Sequence, residues 1–262
     1  MVEKSSSKEK IVEINQSVSG APTARRKGIY LLPNLLTTGA LFAGFYAVLS
    51  GFSGQYELAS IAIFTAMVFD GLDGRVARMT NTQSDFGVQY DSLSDMVSFG
   101  VAPAVVAYGW GVSDLGKFGL AAAFVYASCA ALRLARFNVQ TESADNKVFT
   151  GLPSPAAAAL IAGFVWSTYH FEPPMGLSVL GAVLTAIAGL LMVSNFKYPS
   201  FKQIDMRGKV PFIVILSVAM VFVVITIDPP RILFTMAMVF SFSAPLIWLT
   251  KKLGFRPPVA DK

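Results

Sequence analysis

The chain has 262 residues, of which 54% are hydrophobic and only 14% are charged. Soluble globular domains usually carry about a quarter charged residues, so this composition argues against an ordinary soluble fold and favours a single membrane domain. The net charge is +5, from 21 Lys and Arg against 16 Asp and Glu. Because the basic residues flank apolar segments, we expect anionic lipid headgroups, and not nucleic acid, as their partner.

The N-terminal region has no apolar core of the signal-peptide type. Residues 1–23 are rich in Ser, Lys and Glu, which predicts a disordered cytoplasmic tail. Residues 24–32 (ARRKGIYLL) are basic and then amphipathic. They form either a short helix along the inner membrane interface, anchored by Arg25, Arg26 and Lys27, or a positively charged flank with no further role.

Apolar segments of about twenty residues follow, long enough to cross a hydrocarbon core of about 30 Å as helices. They predict an all-α polytopic membrane protein, with a membrane catalytic domain at 24–251 and a cytoplasmic tail at 252–262. Gly, Pro and polar residues separate the segments. About eight transmembrane helices are expected, at 31–51, 57–79, 86–110, 117–138, 152–170, 175–195, 209–227 and 231–250.

The distribution of Lys and Arg predicts the orientation in the membrane. If the first span starts inside, only Lys117 and Arg231 of the 21 basic residues lie near outer ends. Both termini are then cytoplasmic, as are the links near 79–85, 139–150 and 196–208. The chain is therefore expected to be a multi-pass protein of the cytoplasmic membrane.

Four acidic residues interrupt the second and third apolar segments: Asp70, Asp73, Asp91 and Asp95. Ionised groups at membrane depth are costly and usually mark a functional site that faces the protein interior. Spacings of three and four residues place each pair on one helical face. Because a short link joins the two helices, all four carboxylates are expected to converge near the cytoplasmic end.

Carboxylates this close together repel one another unless cations neutralise them. An all-oxygen site favours a hard ion such as Mg²⁺ or Mn²⁺. Four acids at this spacing suit two divalent ions about 4 Å apart, the arrangement used for in-line phosphoryl displacement. A proton-relay or ion-conducting site in a transporter is the alternative use of buried acids. It is disfavoured because the acids lie near one face and are followed by Arg75 and Arg78.

Small residues accompany the acids. Gly74 follows Asp73, and Gly87 shares a stripe with Asp91 and Asp95. Glycine leaves room for a bulky ligand beside the acids. Close packing of helices by small residues is the alternative explanation.

The pattern Asp70-x2-Asp73-Gly74-x2-Ala77-Arg78-x8-Gly87-x3-Asp91-x3-Asp95 resembles the signature of the CDP-alcohol phosphotransferase family at every fixed position. The resemblance implies that the four aspartates bind two metal ions and that Asp95 is the general base. It also implies that Gly74, Arg78 and Ser84 line the CDP site and that the enzyme is a homodimer.

The segment Pro33-Asn34-Leu35-Leu36-Thr37 is similar to the part of the family that touches the nucleotide. Asn34 and Thr37 are therefore candidates for binding the CDP-lipid. Ordinary helix capping after a proline is an equally good explanation for both residues.

Further segments resemble the bacterial and archaeal phosphatidylserine synthases of this family. They are VSFGVAPA at 97–104, ALRLARFNV at 131–139, FTGLPSPAAA at 149–158 and LMVSNFKYPSFK at 191–202. CDP-diacylglycerol and L-serine are then the expected substrates. Glycerol 3-phosphate or inositol as acceptor, or an ether-lipid CDP donor, remain alternatives. A membrane prenyltransferase also uses aspartates and Mg²⁺, but its two motifs lie in distant halves of the chain.

A serine acceptor needs a cation for its carboxylate. Arg133 and Arg136 are three residues apart on one helical face, and either could hold a carboxylate through a bidentate pair. Anchoring of the helix at the lipid interface is the alternative role. Asn138 is a weaker candidate for the same site.

Overall fold

The computed structural model of the protein describes residues 31–80, 82–140, 149–198 and 212–253. The predicted tail at 1–23 and the amphipathic segment up to residue 30 lie outside the described residues, as do residues 254–262. The α-helices of the described part are α1 (Leu31–Phe52), α2 (Tyr56–Thr80), α3 (Asp85–Asp95), α4 (Ala102–Trp110), α5 (Lys117–Gln140), α6 (Ser154–Thr168), α7 (Met175–Val193), α8 (Phe212–Ile227) and α9 (Pro229–Lys252).

Four shorter elements complete the described chain. A π-helical segment, Met96–Val101, joins α3 directly to α4. A 3₁₀ turn, Val112–Leu115, precedes α5. Strands β1 (Phe149–Thr150) and β2 (Lys197–Tyr198) form a two-residue antiparallel pair. This pair joins the chain just before α6 to the chain just after α7. Every other element of the described residues is helical.

Among the described residues, four helices are long and apolar enough to cross a membrane: α1, α5 as far as Val139, α7 and α9. Helix α6 has 15 residues and α8 has 16, fewer than the roughly twenty that a spanning helix needs. Helix α2 carries the charged motif. The π-helical segment interrupts the continuous helix formed by α3 and α4. The protein is thus an all-α membrane protein, but the expected number of eight transmembrane helices is not confirmed.

The helices pack through small residues. Helix α1 makes an extensive contact with α2 and also contacts α3, the π-helical segment and α4, while α5 packs on α7 and α6 on α9. Alanines fill many of the buried positions, among them Ala47, Ala59, Ala66 and Ala130. Small side chains let helix backbones approach closely where no water drives the association. This packing brings the acidic end of α2 and the whole of α3 against the start of α1.

Candidate active site

The acidic motif begins at the C-terminal end of α2 and continues after a tight reversal of the chain. The Thr82 N–H donates to the Ala77 carbonyl at 3.1 Å, which closes the end of α2. Ser84 then caps α3, because its hydroxyl accepts a hydrogen bond from the Gly87 N–H at 3.1 Å. A serine at this position satisfies a backbone donor that the first helical turn leaves free. After the reversal, α3 packs on α1, which also contacts α2, and carboxylates of α2 and α3 meet.

Three of the four predicted metal ligands converge. Asp70 on α2 and Asp91 and Asp95 on α3 each offer a carboxylate oxygen, and these oxygens lie within 4.8 Å of one another. We call these residues the three-aspartate cluster. All three side chains are partly shielded from solvent. The distances suit a shared cation, since hard divalent ions bind carboxylate oxygens at about 2.0–2.6 Å.

The fourth acid, Asp73, is buried, with only 4% of its surface exposed. Its Oδ2 accepts a hydrogen bond of 2.6 Å from the Thr37 hydroxyl of α1. Asp73 remains close enough to Asp70 and Asp91 to repel both electrostatically. It therefore borders the three-aspartate cluster and faces α1.

Two guanidinium groups interact electrostatically with these acids. Arg78 interacts electrostatically with Asp73, and Arg133 of α5 interacts with Asp95. These two guanidinium groups neutralise only part of the charge of the four carboxylates. Negative charge therefore remains in excess in a low-dielectric environment. The donor set is all oxygen and fits Mg²⁺ or Mn²⁺, so the residues present fit the implied metal ions.

The residues expected to bind the nucleotide form two neighbouring groups beside the acids. At the first, a Cβ placed on Gly87 would lie 3.2 Å from the Ser84 hydroxyl and 3.5 Å from Asn34 Oδ1. Asn34, Ser84 and Gly87 are thus together where α1 and α3 begin. At the second, a Cβ on Gly74 would lie 3.3 Å from Nη1 of Arg78, an exposed side chain.

Thr37 has a different environment from the other nucleotide-site candidates. It is 4% exposed and its hydroxyl lies between Asp73 and the Pro33 carbonyl, at 3.1 Å from the latter. In the structure its contact is therefore with an acid of the motif. The bond to Pro33 is the usual back-bond of a threonine to the carbonyl one helical turn earlier, within α1.

The three residues expected to bind serine separate into different environments. Arg133 interacts electrostatically with Asp95 of the three-aspartate cluster. Its Nη1 donates to the Ser154 hydroxyl at 3.0 Å, and its buried Nε has no hydrogen-bond partner among the described residues. Arg136 Nη2 donates to Asn195 Oδ1 at 3.2 Å. Asn138 Oδ1 accepts from the Ser92 hydroxyl at 3.1 Å.

Several polar contacts that hold α3 and the π-helical segment against α1 were not predicted from the sequence. Ser94 donates to the Thr37 carbonyl at 3.2 Å, and Ser98 donates to the Ala40 carbonyl at 3.0 Å. Their four-residue spacing in an apolar helix is typical of a helix–helix contact and was an available signal. Tyr90 shares a hydrogen bond of 2.9 Å with Thr38. Ser154, beside Arg133, carries no signal of its own in the sequence.

Comparison with known proteins identifies the family. The CDP-alcohol phosphatidyltransferase profile matches residues 30–196. A CDP-diacylglycerol–serine O-phosphatidyltransferase of Helicobacter pylori is 40% identical over 198 residues, covering 74% of this chain and 83% of the relative. A Bacillus subtilis protein of the same name is 35% identical over 172 residues, covering 66% of this chain and 92% of the relative. An archaetidylserine synthase of Methanothermobacter thermautotrophicus is 39% identical over 171 residues, covering 64% and 69%. The chain belongs to the CDP-alcohol phosphatidyltransferase family.

Proposed function

We propose that the protein transfers the phosphatidyl group of CDP-diacylglycerol to the hydroxyl of L-serine, which yields phosphatidylserine and CMP. Family membership supports transfer of a phosphatidyl group as the reaction class. It argues against the transporter and prenyltransferase alternatives. The names of the relatives from H. pylori and B. subtilis support serine as the acceptor. The single observation that carries the proposal is the convergence of the Asp70, Asp91 and Asp95 carboxylates, with the Arg133 guanidinium near enough to interact electrostatically with Asp95.

The four aspartates would hold two divalent cations, Mg²⁺ or Mn²⁺. Asp70, Asp91 and Asp95 supply the three-aspartate cluster, and Asp73 adds a carboxylate oriented by Thr37. When bound, the ions would neutralise the diphosphate and the charge that develops on the departing phosphate. The carboxylates would hold the ions in place before the reaction begins, so that the protein need not reorganise as charge develops on the phosphate.

The nucleotide end of the donor would lie against Asn34, Thr37, Gly74, Arg78 and Ser84. Arg78 is exposed and offers a guanidinium fork suited to phosphate oxygens. The glycine at position 74 leaves the guanidinium free to approach.

The acceptor would bind at Arg133. A guanidinium whose Nε lacks a partner while Nη1 is held by Ser154 retains donors for a carboxylate. A serine carboxylate at this guanidinium brings the serine hydroxyl toward Asp95. Arg136 and Asn138 contact Asn195 and Ser92 and are weaker candidates for this role.

Asp95 would act as the general base. It removes the proton of the serine hydroxyl, and the oxygen attacks the phosphorus nearer the lipid. The bond from that phosphorus to the oxygen of CMP breaks, CMP leaves, and phosphatidylserine remains in the bilayer. Inversion at phosphorus follows from this direct displacement.

The Lys and Arg distribution supports a site that faces the cytoplasm, with both termini on that side of the cell membrane. A homodimer within the membrane lipids is proposed from the family resemblance. Chemical crosslinking of the purified protein in lipid nanodiscs, followed by denaturing electrophoresis, tests the homodimer.

An acceptor panel tests the proposed function. Purified protein receives CDP-diacylglycerol with L-serine, inositol or glycerol 3-phosphate, and CMP and lipid products are measured. CMP release that depends on serine and matches phosphatidylserine formation is expected. Release that depends on another acceptor would overturn the serine assignment. A parallel experiment uses a CDP donor with ether-linked chains, because one relative is an archaetidylserine synthase. Faster turnover with this donor would show that the ether lipid, and not CDP-diacylglycerol, is the preferred substrate.

A further inference from the structure

The helix that carries Asp91 and Asp95 changes its hydrogen-bond register directly after Asp95. From Met96 to Val101 the backbone is π-helical, and the Ala102 N–H reaches back five residues to the Val97 carbonyl. A π turn rotates the residues after it relative to those before it. Asp95 is therefore the last residue presented on the face of α3, and the geometry of the next turn determines how its helix is anchored.

Pro103 leaves one carbonyl of this turn without its usual partner. In an α-helix the N–H of residue 103 would serve the carbonyl of Phe99, but proline has no N–H. The Tyr126 hydroxyl of α5 donates to that carbonyl at 2.9 Å. Both Phe99 and Tyr126 have no exposed surface. Because both residues are buried, the tyrosine hydroxyl gives this carbonyl a hydrogen-bond partner out of reach of water.

Helix α5 contacts the Asp95 turn at two points. Tyr126 and Arg133 are seven residues apart and thus lie on the same face of α5. Tyr126 bonds to Phe99, four residues after Asp95, while Arg133 interacts with Asp95 itself. Between them, Ala130 packs closely on Gly100, where an added Cβ would lie 3.2 Å away. One helical face of α5 therefore bonds to the turn and places a guanidinium where it interacts electrostatically with the Asp95 carboxylate.

The packing on the far side of α5 keeps Tyr126 in position. A Cβ on Gly189 of α7 would lie 2.8 Å from the Tyr126 Cα, closer than real Cβ contacts, so glycine permits the approach. On the opposite side of the π-helical segment, Ser98 donates to the Ala40 carbonyl of α1. The segment is thus held between α1 and α5, with Tyr126 as its polar contact to α5.

We propose that Tyr126 is a positioning residue for the metal-binding aspartates. Its hydroxyl takes the place of the N–H that Pro103 lacks, holds the π-helical segment, and thereby presents Asp95 to Asp70, Asp91 and Arg133. It acts through the Phe99 carbonyl and touches no reacting atom. The activity part of this inference rests on the proposed function, but its effect on metal binding does not.

The test compares Tyr126→Phe with Tyr198→Phe in the full-length protein, purified in uncharged detergent. Tyr198 is a matched control, since its buried hydroxyl also donates to a backbone carbonyl, that of Ser241, at 2.8 Å, away from the acids. The readouts are Mn²⁺ binding by electron paramagnetic resonance, thermal unfolding, and Mn²⁺-dependent CMP release. Both variants are expected to unfold at lower temperature.

Only Tyr126→Phe is expected to weaken Mn²⁺ binding, by roughly ten- to a hundredfold, the range seen when partners of metal ligands are removed. The Mn²⁺ concentration for half-maximal activity rises in parallel. Mn²⁺ binding equal to that of the unsubstituted protein, with the same loss of thermal stability as Tyr198→Phe, would reduce Tyr126 to a purely structural residue and overturn the inference.

A second variant keeps the test decisive if Tyr126→Phe fails to fold. Pro103→Ala restores an N–H that competes with Tyr126 for the Phe99 carbonyl and allows an α-helical turn. Weaker Mn²⁺ binding without loss of thermal stability is expected, and Pro245→Ala, at a proline inside α9, serves as its control. Unchanged Mn²⁺ binding in Pro103→Ala would contradict the inference. Absence of Mn²⁺ binding in the unsubstituted protein would instead contradict the proposed function.

Discussion

The Thr37 hydroxyl of α1 lies 2.6 Å from Oδ2 of Asp73 and donates a hydrogen bond to it across two helices. Both side chains are buried. The bond joins the start of α1, expected to touch a nucleotide, to an acid expected to bind metal. It makes the orientation of Asp73 depend on a residue 36 positions earlier in the chain.

Replacing this hydroxyl should weaken metal binding. Thr37→Val removes the donor and leaves the Asp73 carboxylate without its partner from α1, so Mn²⁺ affinity should fall by roughly ten- to a hundredfold. Thr185→Val is the matched control, because that buried hydroxyl bonds only within its own helix, to the Gly181 carbonyl at 2.7 Å. Mn²⁺ titration of the two variants decides the matter. Equal affinities in both would show that Thr37 does not orient Asp73.

Neutralising the proposed base should stop turnover without unfolding the protein. Asp95→Asn keeps the size of the side chain but cannot accept the serine proton, so kcat should fall by roughly 10²–10⁴-fold, the usual contribution of general acid–base catalysis, or further. Initial rates of CMP release with serine measure this. Mn²⁺ binding should be retained in part through Asp70 and Asp91. Near-normal kcat in Asp95→Asn would refute the assignment of the base.

The two arginines of α5 should differ in their effect on serine. Arg133→Gln removes the guanidinium beside Asp95 and should raise the KM for serine by roughly ten- to a hundredfold, from the loss of about 1.5–3 kcal/mol of charged hydrogen bonding. Arg136→Gln loses a bond to Asn195 and should change this KM much less. Steady-state kinetics at saturating CDP-diacylglycerol compare the two. A larger KM effect in Arg136→Gln would transfer the carboxylate site to that residue.

The turn before α6 should tolerate no side chain. Gly151 has φ of 85°, and a Cβ there would collide with the Met192 carbonyl oxygen. Gly151→Ala should therefore destabilise the fold by about 1–3 kcal/mol for the backbone conformation alone. Gly176→Ala is the control, since that helical glycine has open space around it. Thermal unfolding of the two variants should show a lower midpoint only in Gly151→Ala.

Much of the helix pattern follows from local sequence. The predicted segment 57–79 corresponds to α2 at Tyr56–Thr80, and 117–138 corresponds to α5 at Lys117–Gln140. Apolar runs bounded by Gly and Pro suffice for such boundaries, because helix formation depends on neighbours along the chain. The segment 86–110 is helical throughout, but its π-helical interruption, where Phe99 bonds to Tyr126 of another helix, was not predicted from the sequence.

The convergence of Asp70, Asp91 and Asp95 could also be anticipated, because a short link and helical periodicity constrain all three. The contacts that orient them could not. Thr37 reaches Asp73 and Arg133 approaches Asp95 only through the packing of α1 and α5 around the acidic helices. The pairing of β1 with β2 likewise joins residues nearly fifty positions apart, which no local pattern indicates.

The most direct test of the central claim is the divalent-ion dependence of CMP release from CDP-diacylglycerol by the purified protein, with L-serine present. After treatment with a chelator, activity should be lost and should return on addition of Mg²⁺ or Mn²⁺, while Asp70→Asn or Asp91→Asn should require far more ion. Serine-dependent CMP release that persists at the same rate in excess chelator would contradict a carboxylate-bound metal centre.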